Sequence, residues 1–270
     1  MSVPQVDFSH IGLEVFDLAD ETIYLDRRLH SHNGTMQTEE MHRLVVSFLE
    51  NPESILQELV NAAVHLCGAD SAGISIVRSD ATDKDYFQWI ATAGAYSPFL
   101  EASLPKYPSA CSVCLERGRP QLFRVKQHFF DLIGVEAALV TDGLLIPWAV
   151  DERRGTIFIM AHGRAEAFDT EDLRLMQVLA SFAAMGVRQQ HQRARLLKHA
   201  RVAAAAFMAN DLAHRINNPL QGLTNMLYIA AQGDSGGTEK TLALKMIRDF
   251  ERLSALVKEL LQLPRNATSE

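Results

Sequence analysis

The 270-residue sequence predicts an α+β fold: an antiparallel sheet with helices on one face, followed by a long helix and an α-helical hairpin. Two observations lead to this prediction. Helix patterns come first along the chain, then a series of strand patterns and then a closing helix, an order typical of a sheet with segregated helices. In addition, residues 171–231 contain one Pro and only two Gly, which favours a continuous helix.

The N-terminal region, residues 1–37, is predicted to be an extension of mixed character. Within it, the stretch from Phe16 to Leu29 is compatible with a short helix. Helix patterns that begin at about Glu39 and at about Pro52 then open a first domain, predicted to span residues 38–188.

The sheet is predicted from short runs of β-branched and aromatic residues. The strand candidates are Gly73 to Val77, Phe87 to Ala91, Gln121 to Val125, Gly143 to Val150 and Thr156 to Ala161. A turn cluster, Asp151 to Gly155, separates the last two strands. The closing helix is expected to start at Asp169 or Thr170, where acidic residues fill the first turn.

Four segments of this domain carry a family pattern. They are L-C-G-A-D-S-A-G-I-S-I-V from Leu66, S-A-C-S-V-C-L-E-R-G-R-P-Q-L-F from Ser109, G-L-L-I-P-W from Gly143, and G-T-I-F-I-M-A-H from Gly155. Together they resemble the GAF domain, the small-molecule sensing module of many signalling proteins. The resemblance implies a GAF-like antiparallel sheet and leaves the ligand open: a cyclic nucleotide, a tetrapyrrole, haem, a small metabolite or none.

Two features of the first domain bear on a ligand. Cys111 and Cys114 form a C-x-x-C pair, interpreted as two small residues in a loop beside the sheet. A redox pair, a zinc site completed by other residues and a bilin thioether are the alternatives. Seven aromatic residues are expected in the core, with a pocket lining as the alternative: Trp89, Phe99, Tyr107, Phe123, Phe129, Phe130 and Trp148. No metal or cofactor is predicted.

Residues 189–265 are predicted to form a signalling helix and a helical hairpin, and residues 266–270 a tail. The first arm is expected to bury one face, formed by Leu212, Ile216, Leu223, Leu227 and Ala230. The second arm follows a coiled-coil rhythm at Met246, Phe250, Leu253, Val257 and Leu260. Because one hairpin cannot enclose its own apolar stripe, two chains are expected to pair into a homodimeric four-helix bundle.

A histidine lies on the opposite side of the first arm. His214 is two residues from Leu212 and from Ile216, so the helical phase predicts that it faces solvent. Asn217 and Asn218 are predicted to flank it on that side. Because the neutral imidazole is a nucleophile near neutral pH, an exposed histidine of this kind is a candidate phosphoacceptor.

A second resemblance lies in the stretch A-H-R-I-N-N-P-L-Q, which starts at Ala213. Pro219 within this stretch is expected to kink the helix. The stretch resembles the phosphoacceptor box in the dimerisation and histidine phosphotransfer domain of sensor histidine kinases. The resemblance implies that His214 accepts phosphate and that Asn218 helps to orient water for dephosphorylation of a partner. Arg215 departs from the pattern, because most of that family carry Glu or Asp there and arginine cannot accept a proton. This departure argues against autophosphorylation.

The sequence contains no nucleotide-binding motif of the form G-x-x-x-x-G-K-[ST] or G-x-G-x-x-G. Only residues 264–270 follow the hairpin, so the chain is not expected to bind ATP as sensor kinases do. We therefore expect it to receive phosphate from a partner, with at most phosphotransfer or kinase activity in trans, or to have lost the chemistry.

Composition excludes several other classes. A net charge of −7 argues against a nucleic-acid partner, and 47% apolar residues are enough for a real core. No apolar run is long enough to cross a membrane, and the first residues lack a signal-peptide pattern. With three cysteines, the chain is expected to be cytoplasmic.

The sequence thus predicts a two-component signal-transduction sensor with a GAF input and His214 as candidate phosphohistidine. The expected partners are a second copy of the chain, a response regulator receiver domain or a trans-acting kinase, and a small-molecule ligand. The alternative is a non-catalytic dimeric scaffold that docks on a response regulator or a kinase and never carries phosphate.

Overall fold

The computed structural model describes residues 8–18, 24, 26–29, 34–79, 84–232 and 237–262. The chain divides into two compact units, Met1–His191 and Gln192–Glu270.

A seven-stranded sheet lies at the centre of the first unit, in the part of it that the structure describes. Its strands are β1 (Leu13–Asp17), β2 (Ser71–Ser79), β3 (Asp85–Gly94), β4 (Ser103–Pro105), β5 (Gln121–Val125), β6 (Val140–Val150) and β7 (Arg153–Ala161). The order across the sheet is β1-β5-β6-β7-β2-β3-β4, and all neighbours are antiparallel. The five predicted strands are therefore present, and most of them are longer than predicted.

The bounds of six α-helices are given by the described residues. They are α1 (Gly34–Glu50), α2 (Ile55–Cys67), α3 (Ala110–Arg117), α4 (Gln127–Ile133), α5 (Thr170–Gln232) and α6 (Gly237–Gln262). The Ser109 side chain caps α3 by accepting a hydrogen bond from the Cys111 amide at 3.2 Å. Gly118 ends the same helix at φ 65°, a left-handed conformation that favours glycine.

Helices cover both faces of the sheet, so the prediction of helices on one face is wrong. Ile157 and Ile159 in β7 pack in a first core with α1, α2 and the beginning of α5. Phe158 and Met160, which alternate with them, pack in a second core with α3 and α4. The two short helices on the second face were not predicted, because seven or eight residues are too few to show a helical period.

Two further predictions about the first unit need correction. The segment from Phe16 to Leu29 was compatible with a short helix, but Phe16 and Asp17 belong to β1, which pairs with β5. Tyr24 is helical as expected, and residues 19–23 and 25 lie outside the described residues. The predicted turn cluster Asp151 to Gly155 is narrower in the structure, because β7 already begins at Arg153. Gly155 lies against the Trp148 indole, and a Cβ there would approach the Ser75 carbonyl oxygen to 1.9 Å, so this strand position requires glycine.

A buried ion pair joins the N-terminal segment to the sheet. The Arg27 guanidinium binds both oxygens of the Asp142 carboxylate in β6, at 2.7 and 3.1 Å, and the side chains are 4% and 0% exposed. Arg27 also donates to the Phe168 carbonyl oxygen at 2.7 Å, and the Phe168 amide donates to Asp142 at 3.3 Å. One ion pair thus holds the N-terminal segment, β6 and the residues that precede α5.

The start of α5 is fixed by a reciprocal cap, as expected for a helix that begins at Asp169 or Thr170. The Asp169 carboxylate accepts hydrogen bonds from the amides of Glu171 and Asp172, at 2.8 and 3.2 Å. The Asp172 carboxylate accepts one from the Asp169 amide at 3.0 Å. The buried Tyr24 hydroxyl donates to the Asp169 carbonyl oxygen, so the N-terminal segment also contacts this cap.

The second unit contains the later part of α5 and all of α6. The two helices contact each other at Tyr228, whose hydroxyl donates to the Glu251 carboxylate at 3.2 Å. Helix α5 continues through Pro219 without a break.

The predicted faces of the hairpin agree with the buried ones only in part. On α5, Ile216 and Leu227 of the predicted face are half-buried, whereas Leu212 and Leu223 are 58% and 42% exposed. Ala213, which was not predicted to lie on this face, is buried. On α6, Ala243 and Ile247 are buried, and Phe250 and Val257 are half-buried as predicted. Met246 and Leu253 of the predicted seam are exposed, and the Leu260 side chain lies outside the described residues.

Among the described residues, no helix has the length and apolarity needed to span a membrane.

The buried ion pair generates the first prediction. Arg27→Met should lower the free energy of unfolding of the first unit by about 3–5 kcal/mol, because the Asp142 carboxylate would stay buried without its counter-charge. Arg27→Met combined with Asp142→Leu should recover part of this loss. Urea denaturation followed by tryptophan fluorescence measures the effect, since Trp89 and Trp148 both lie in the first unit.

Arg174→Met is the matched control. Arg174 pairs with Glu171 on the surface and its side chain is 72% exposed, so its loss should cost less than about 1 kcal/mol. Equal destabilisation by Arg27→Met and Arg174→Met would contradict a structural role for the buried pair.

Candidate functional site

The second face of the sheet carries an apolar cavity of about 140 Å³. The sheet supplies its floor through Phe123, Leu145 and Phe158, and α4 covers it with Phe129 and Phe130. None of the described residues that line the cavity is charged. A ligand held here would therefore exchange water for apolar side chains.

The predicted aromatic residues separate into two groups. Trp89, Phe99, Phe123, Phe129 and Phe130 line the cavity. Trp148 instead packs in the first core, on the other side of the sheet, and Tyr107 is 44% exposed. All of the seven except Tyr107 therefore belong to a core or pack against one, as expected, and five of them also line the cavity.

A β-bulge turns Trp89 toward the cavity. Ala91 pairs with Ile74 and Trp89 pairs with Ser75, so Ile90 is an extra residue in β3. Strict alternation would put Trp89 on the same face as Ala91, which lies in the first core. The bulge reverses the phase, and Trp89 packs against Phe158 with ring centroids 5.1 Å apart.

The Trp89 side chain carries a polar group that the described part of the protein leaves unpaired. Its indole Nε1 is buried and has no hydrogen-bond partner among the described residues. Trp148 shares this property, but it lies in the other core. A buried N–H without an acceptor costs free energy.

A stacked pair of rings fixes the loop from Gly134 to Leu139 beside the cavity. The Tyr96 and His162 rings stack at 5.1 Å with planes 8° apart. The Tyr96 hydroxyl donates to the Ala138 carbonyl oxygen at 2.7 Å, and His162 Nδ1 lies 2.7 Å from the Leu139 carbonyl oxygen. Since a carbonyl only accepts, Nδ1 carries the proton and Nε2 accepts from the Ser71 hydroxyl at 2.7 Å.

The C-x-x-C pair lies in α3 rather than in a loop. Cys111 lines the cavity, and its sulfur accepts a hydrogen bond from Thr156 Oγ1 at 3.3 Å. The Cys114 thiol faces the Leu145 carbonyl oxygen at 3.6 Å. Burial raises the pKa of both thiols, so they stay protonated near neutral pH.

These surroundings fit the interpretation of Cys111 and Cys114 as small packing residues. All three cysteines, including Cys67, are free and buried. Among the described residues, no group of His, Cys, Asp or Glu side chains is arranged to hold a metal ion.

The second prediction concerns these thiols. In the folded protein at pH 8, all three should react with a thiol reagent such as DTNB far more slowly than an exposed cysteine, because burial raises their pKa and blocks access. Leu100→Cys, at a position that is 50% exposed, provides the internal control, and urea should release all native thiols. Labelling of Cys111 or Cys114 at the rate of the control would favour the redox pair instead.

His214 is exposed on α5 in the second unit. Asn218 is exposed as well, one helical turn later. Asn217 differs from the prediction, because it is half-buried and its Oδ1 atom is buried without a partner among the described residues.

Arg215 is 77% exposed and forms an ion pair with Asp211, with 3.9 Å between Nη1 and the carboxylate. Its guanidinium is therefore directed to a neighbour on the same helix. The spacing of three residues between Asp211 and His214 puts a carboxylate on the histidine side of this helix.

The cavity was not predicted as one site, because its lining comes from separate parts of the chain. Trp89 in β3, Cys111 in α3 and Phe129 in α4 meet only after the sheet forms. The clustered aromatic residues between Phe123 and Phe130 were the one available signal.

The antiparallel sheet and its cavity define a class of small sensory domain. The chain belongs to the GAF domain family, whose family model matches residues 50–188, and GAF domains are sensory domains of signalling proteins.

Several solved GAF domains are similar to this chain. One comes from an Acinetobacter phosphoenolpyruvate-protein phosphotransferase, with 12% identity and a TM-score of 0.47, covering 59% of this chain and 97% of that one. Another comes from the Coxiella burnetii phosphoenolpyruvate-protein phosphotransferase, with 16% identity, a TM-score of 0.47 and coverage of 60% and 99%. A third is the phycocyanobilin-bound GAF domain of a cyanobacterial phytochrome, with 16% identity, a TM-score of 0.45 and coverage of 61% and 98%. No curated protein sequence is significantly similar to this chain.

Proposed function

We propose that this protein is a two-component signalling sensor. Its GAF domain takes a small molecule in the cavity, and the helical hairpin forms a homodimer that carries phosphate on His214. The observation that carries the proposal is the pairing of an apolar cavity in a sensory domain with an exposed histidine in an A-H-R-I-N-N-P-L-Q context. The free cysteines are in keeping with a cytoplasmic protein.

The exposure of His214 supports the phosphoacceptor role. Transfer of a phosphoryl group requires access and in-line alignment more than a deep pocket, and an exposed imidazole meets the first requirement. Asn218, exposed one turn later, is proposed to orient water or the phosphoryl group. Arg215 contributes no proton acceptor, so phosphate is proposed to arrive from a response regulator receiver domain or a trans-acting kinase.

Exposed apolar side chains on both arms of the hairpin support the homodimer. One group of these side chains on α5 consists of Leu212, Leu223 and Met226, and one group on α6 consists of Leu242, Met246, Leu253 and Leu256. Each group lies on one flank of its helix, beside the buried residues Ala213 or Ile247, whereas Ile229 and Leu244 are exposed on other sides. Two such flanks, brought together by a two-fold axis, would complete a four-helix core.

The same geometry keeps the phosphoacceptor away from the proposed interface. His214 lies two residues after Leu212, which is about 160° around the helix at about 100° per residue. Asn218 lies within about 40° of His214 by the same count. Both side chains would therefore stay open to a partner in the dimer. We propose that α5, which begins in the sensor and ends in the hairpin, carries the signal by a small shift or rotation.

A non-catalytic scaffold is the second candidate, and Arg215 is the residue that favours it. In that case the dimer would dock on a response regulator or a kinase through the same helices, without phosphate.

The third prediction tests the dimer. Met226→Asp should shift the protein from dimer to monomer in sedimentation velocity, because the change places a charge in the proposed core. Met226 is 61% exposed within one chain, so the change should leave the helical circular dichroism signal of each chain largely intact.

Gln221→Asp provides the control, since Gln221 is exposed on the His214 side of the same helix. It should remain dimeric. A wild-type chain that sediments as a monomer at micromolar concentration would rule out the proposed assembly.

The fourth prediction tests His214. Wild-type protein should take up acid-labile phosphate from a phosphorylated response regulator receiver domain, and His214→Gln should abolish this uptake. The free energy of unfolding of the His214→Gln variant should differ from that of wild type by less than about 0.5 kcal/mol, as is usual for substitutions of exposed residues. His199→Gln, at another exposed histidine of α5, should retain full uptake.

Arg215→Glu should raise the uptake, because it restores a group that accepts a proton beside the imidazole. Absence of uptake by wild type from any cognate receiver or kinase, together with normal signalling by His214→Gln in cells, would instead establish the scaffold.

A further inference from the structure

A stretch of chain outside the helices and strands, residues 134–139, forms part of the cavity wall. Val135 and Ala137 line the cavity, whereas Glu136 and Ala138 beside them are exposed. The stretch therefore has one side against the cavity and the other against solvent. It follows α4 and leads directly into β6.

Few hydrogen bonds hold this stretch in place. Among the described residues, the backbone of residues 136–139 makes no hydrogen bond to another backbone group. Two side chains supply contacts instead. The Tyr96 hydroxyl donates to the Ala138 carbonyl oxygen, and His162 Nδ1 donates to that of Leu139, each at 2.7 Å. A segment with so few hydrogen bonds is expected to open locally without unfolding of the whole domain.

The two side chains that hold the stretch are themselves fixed to the sheet. The rings of Tyr96 and His162 stack at 5.1 Å. His162 Nε2 accepts from the Ser71 hydroxyl at 2.7 Å, and the Ser71 oxygen accepts from the Tyr96 amide at 3.2 Å. Because Ser71 is completely buried at the start of β2, Tyr96 and His162 act as one anchored unit.

The end of the same stretch is linked to the residues that precede α5. The Thr141 hydroxyl donates to the Arg164 carbonyl oxygen at 2.7 Å and accepts from the Gly163 amide at 3.0 Å. The neighbouring Asp142 carboxylate accepts from the Phe168 amide at 3.3 Å. The segment that leads into the cap of α5 therefore shares its support with the wall of the cavity.

We infer that residues 134–139 are a lid over the cavity, that Tyr96 and His162 are its latch, and that opening of the lid also loosens the start of α5. A ligand contacts Val135 and Ala137 only while the lid is closed, so it binds the closed state more tightly. Ligand binding thus closes the lid and protects the start of α5. This inference rests on the proposed ligand site in the cavity, and it adds the elements through which occupancy reaches the helix.

Hydrogen exchange of the full-length chain, followed by mass spectrometry, measures both effects. The peptide of residues 130–140 reports on the lid, and that of residues 162–172 reports on the start of α5, where the amides of Phe168, Asp169 and Glu171 are hydrogen-bonded. In wild type, both should exchange faster than α2, which lies in the first core, because the lid opens without global unfolding.

Two variants weaken the latch and keep an aromatic ring. Tyr96→Phe removes the hydrogen bond to Ala138, and His162→Phe removes the one to Leu139. Each should accelerate exchange in both peptides by roughly threefold to tenfold, as for the loss of one hydrogen bond. Tyr86→Phe is the matched control, because it removes a hydroxyl at the opposite end of β3 from Tyr96. It should leave exchange in both peptides unchanged.

Benzene is the probe for the effect of a ligand. The cavity volume of about 140 Å³ is close to that of apolar cavities of about 150 Å³ that accept benzene. At a benzene concentration equal to the Kd measured by calorimetry, exchange in both peptides should slow by about twofold, since benzene binds only the closed state.

Three results would overturn the inference. They are unchanged exchange of the lid peptide in both latch variants, acceleration of the lid peptide without that of residues 162–172, and binding of benzene that slows neither peptide. Absence of any benzene binding would instead count against the ligand site of the proposed function, while the two variants still decide whether the latch exists. The two proposals therefore fail separately.

Discussion

Each central strand of the sheet sends alternate side chains into two separate cores, and the other features of the first unit depend on this alternation. The first core fixes α1, α2 and the beginning of α5 through closely packed aliphatic residues such as Ile157, Leu59 and Leu179. The second core contains larger rings under two short helices, and it contains the cavity. The sheet thus separates the face that packs against the beginning of the long helix from the face that contains the cavity.

The polar groups of the first unit are concentrated where the N-terminal segment, the sheet and α5 meet. Arg27, Asp142 and the cap formed by Asp169 and Asp172 fix the first turn of α5 relative to β6. The carboxylate of Asp142 is completely buried, so the helix start cannot move without breaking the ion pair or the amide contact to Phe168. All of these contacts lie within the first unit.

Much of the sheet was predictable from sequence, since strands such as Gly143 to Val150 are long apolar runs bounded by turn residues. The second face was less predictable, because α3 and α4 are too short to show a period. The direction of Trp89 depends on the bulge at Ile90, which only the pairing with β2 shows. In the hairpin, the buried face was predicted in part, since Ile216, Leu227, Phe250 and Val257 are half-buried. The alanines at 213 and 243 were not predicted to lie there, although small residues let helices approach closely. The exposure of His214 was predicted, whereas the half-burial of Asn217 was not.

The proposed sensing function depends most directly on an apolar cavity on one face of the sheet that can accept a ligand. A crystal structure of the protein under xenon pressure would test this, because xenon enters dry apolar cavities of this size and has strong anomalous scattering. One xenon site is expected in the first unit, bounded by Trp89, Phe158 and Phe129. A cavity filled instead by ordered water, or closed by collapse of these rings, would contradict it.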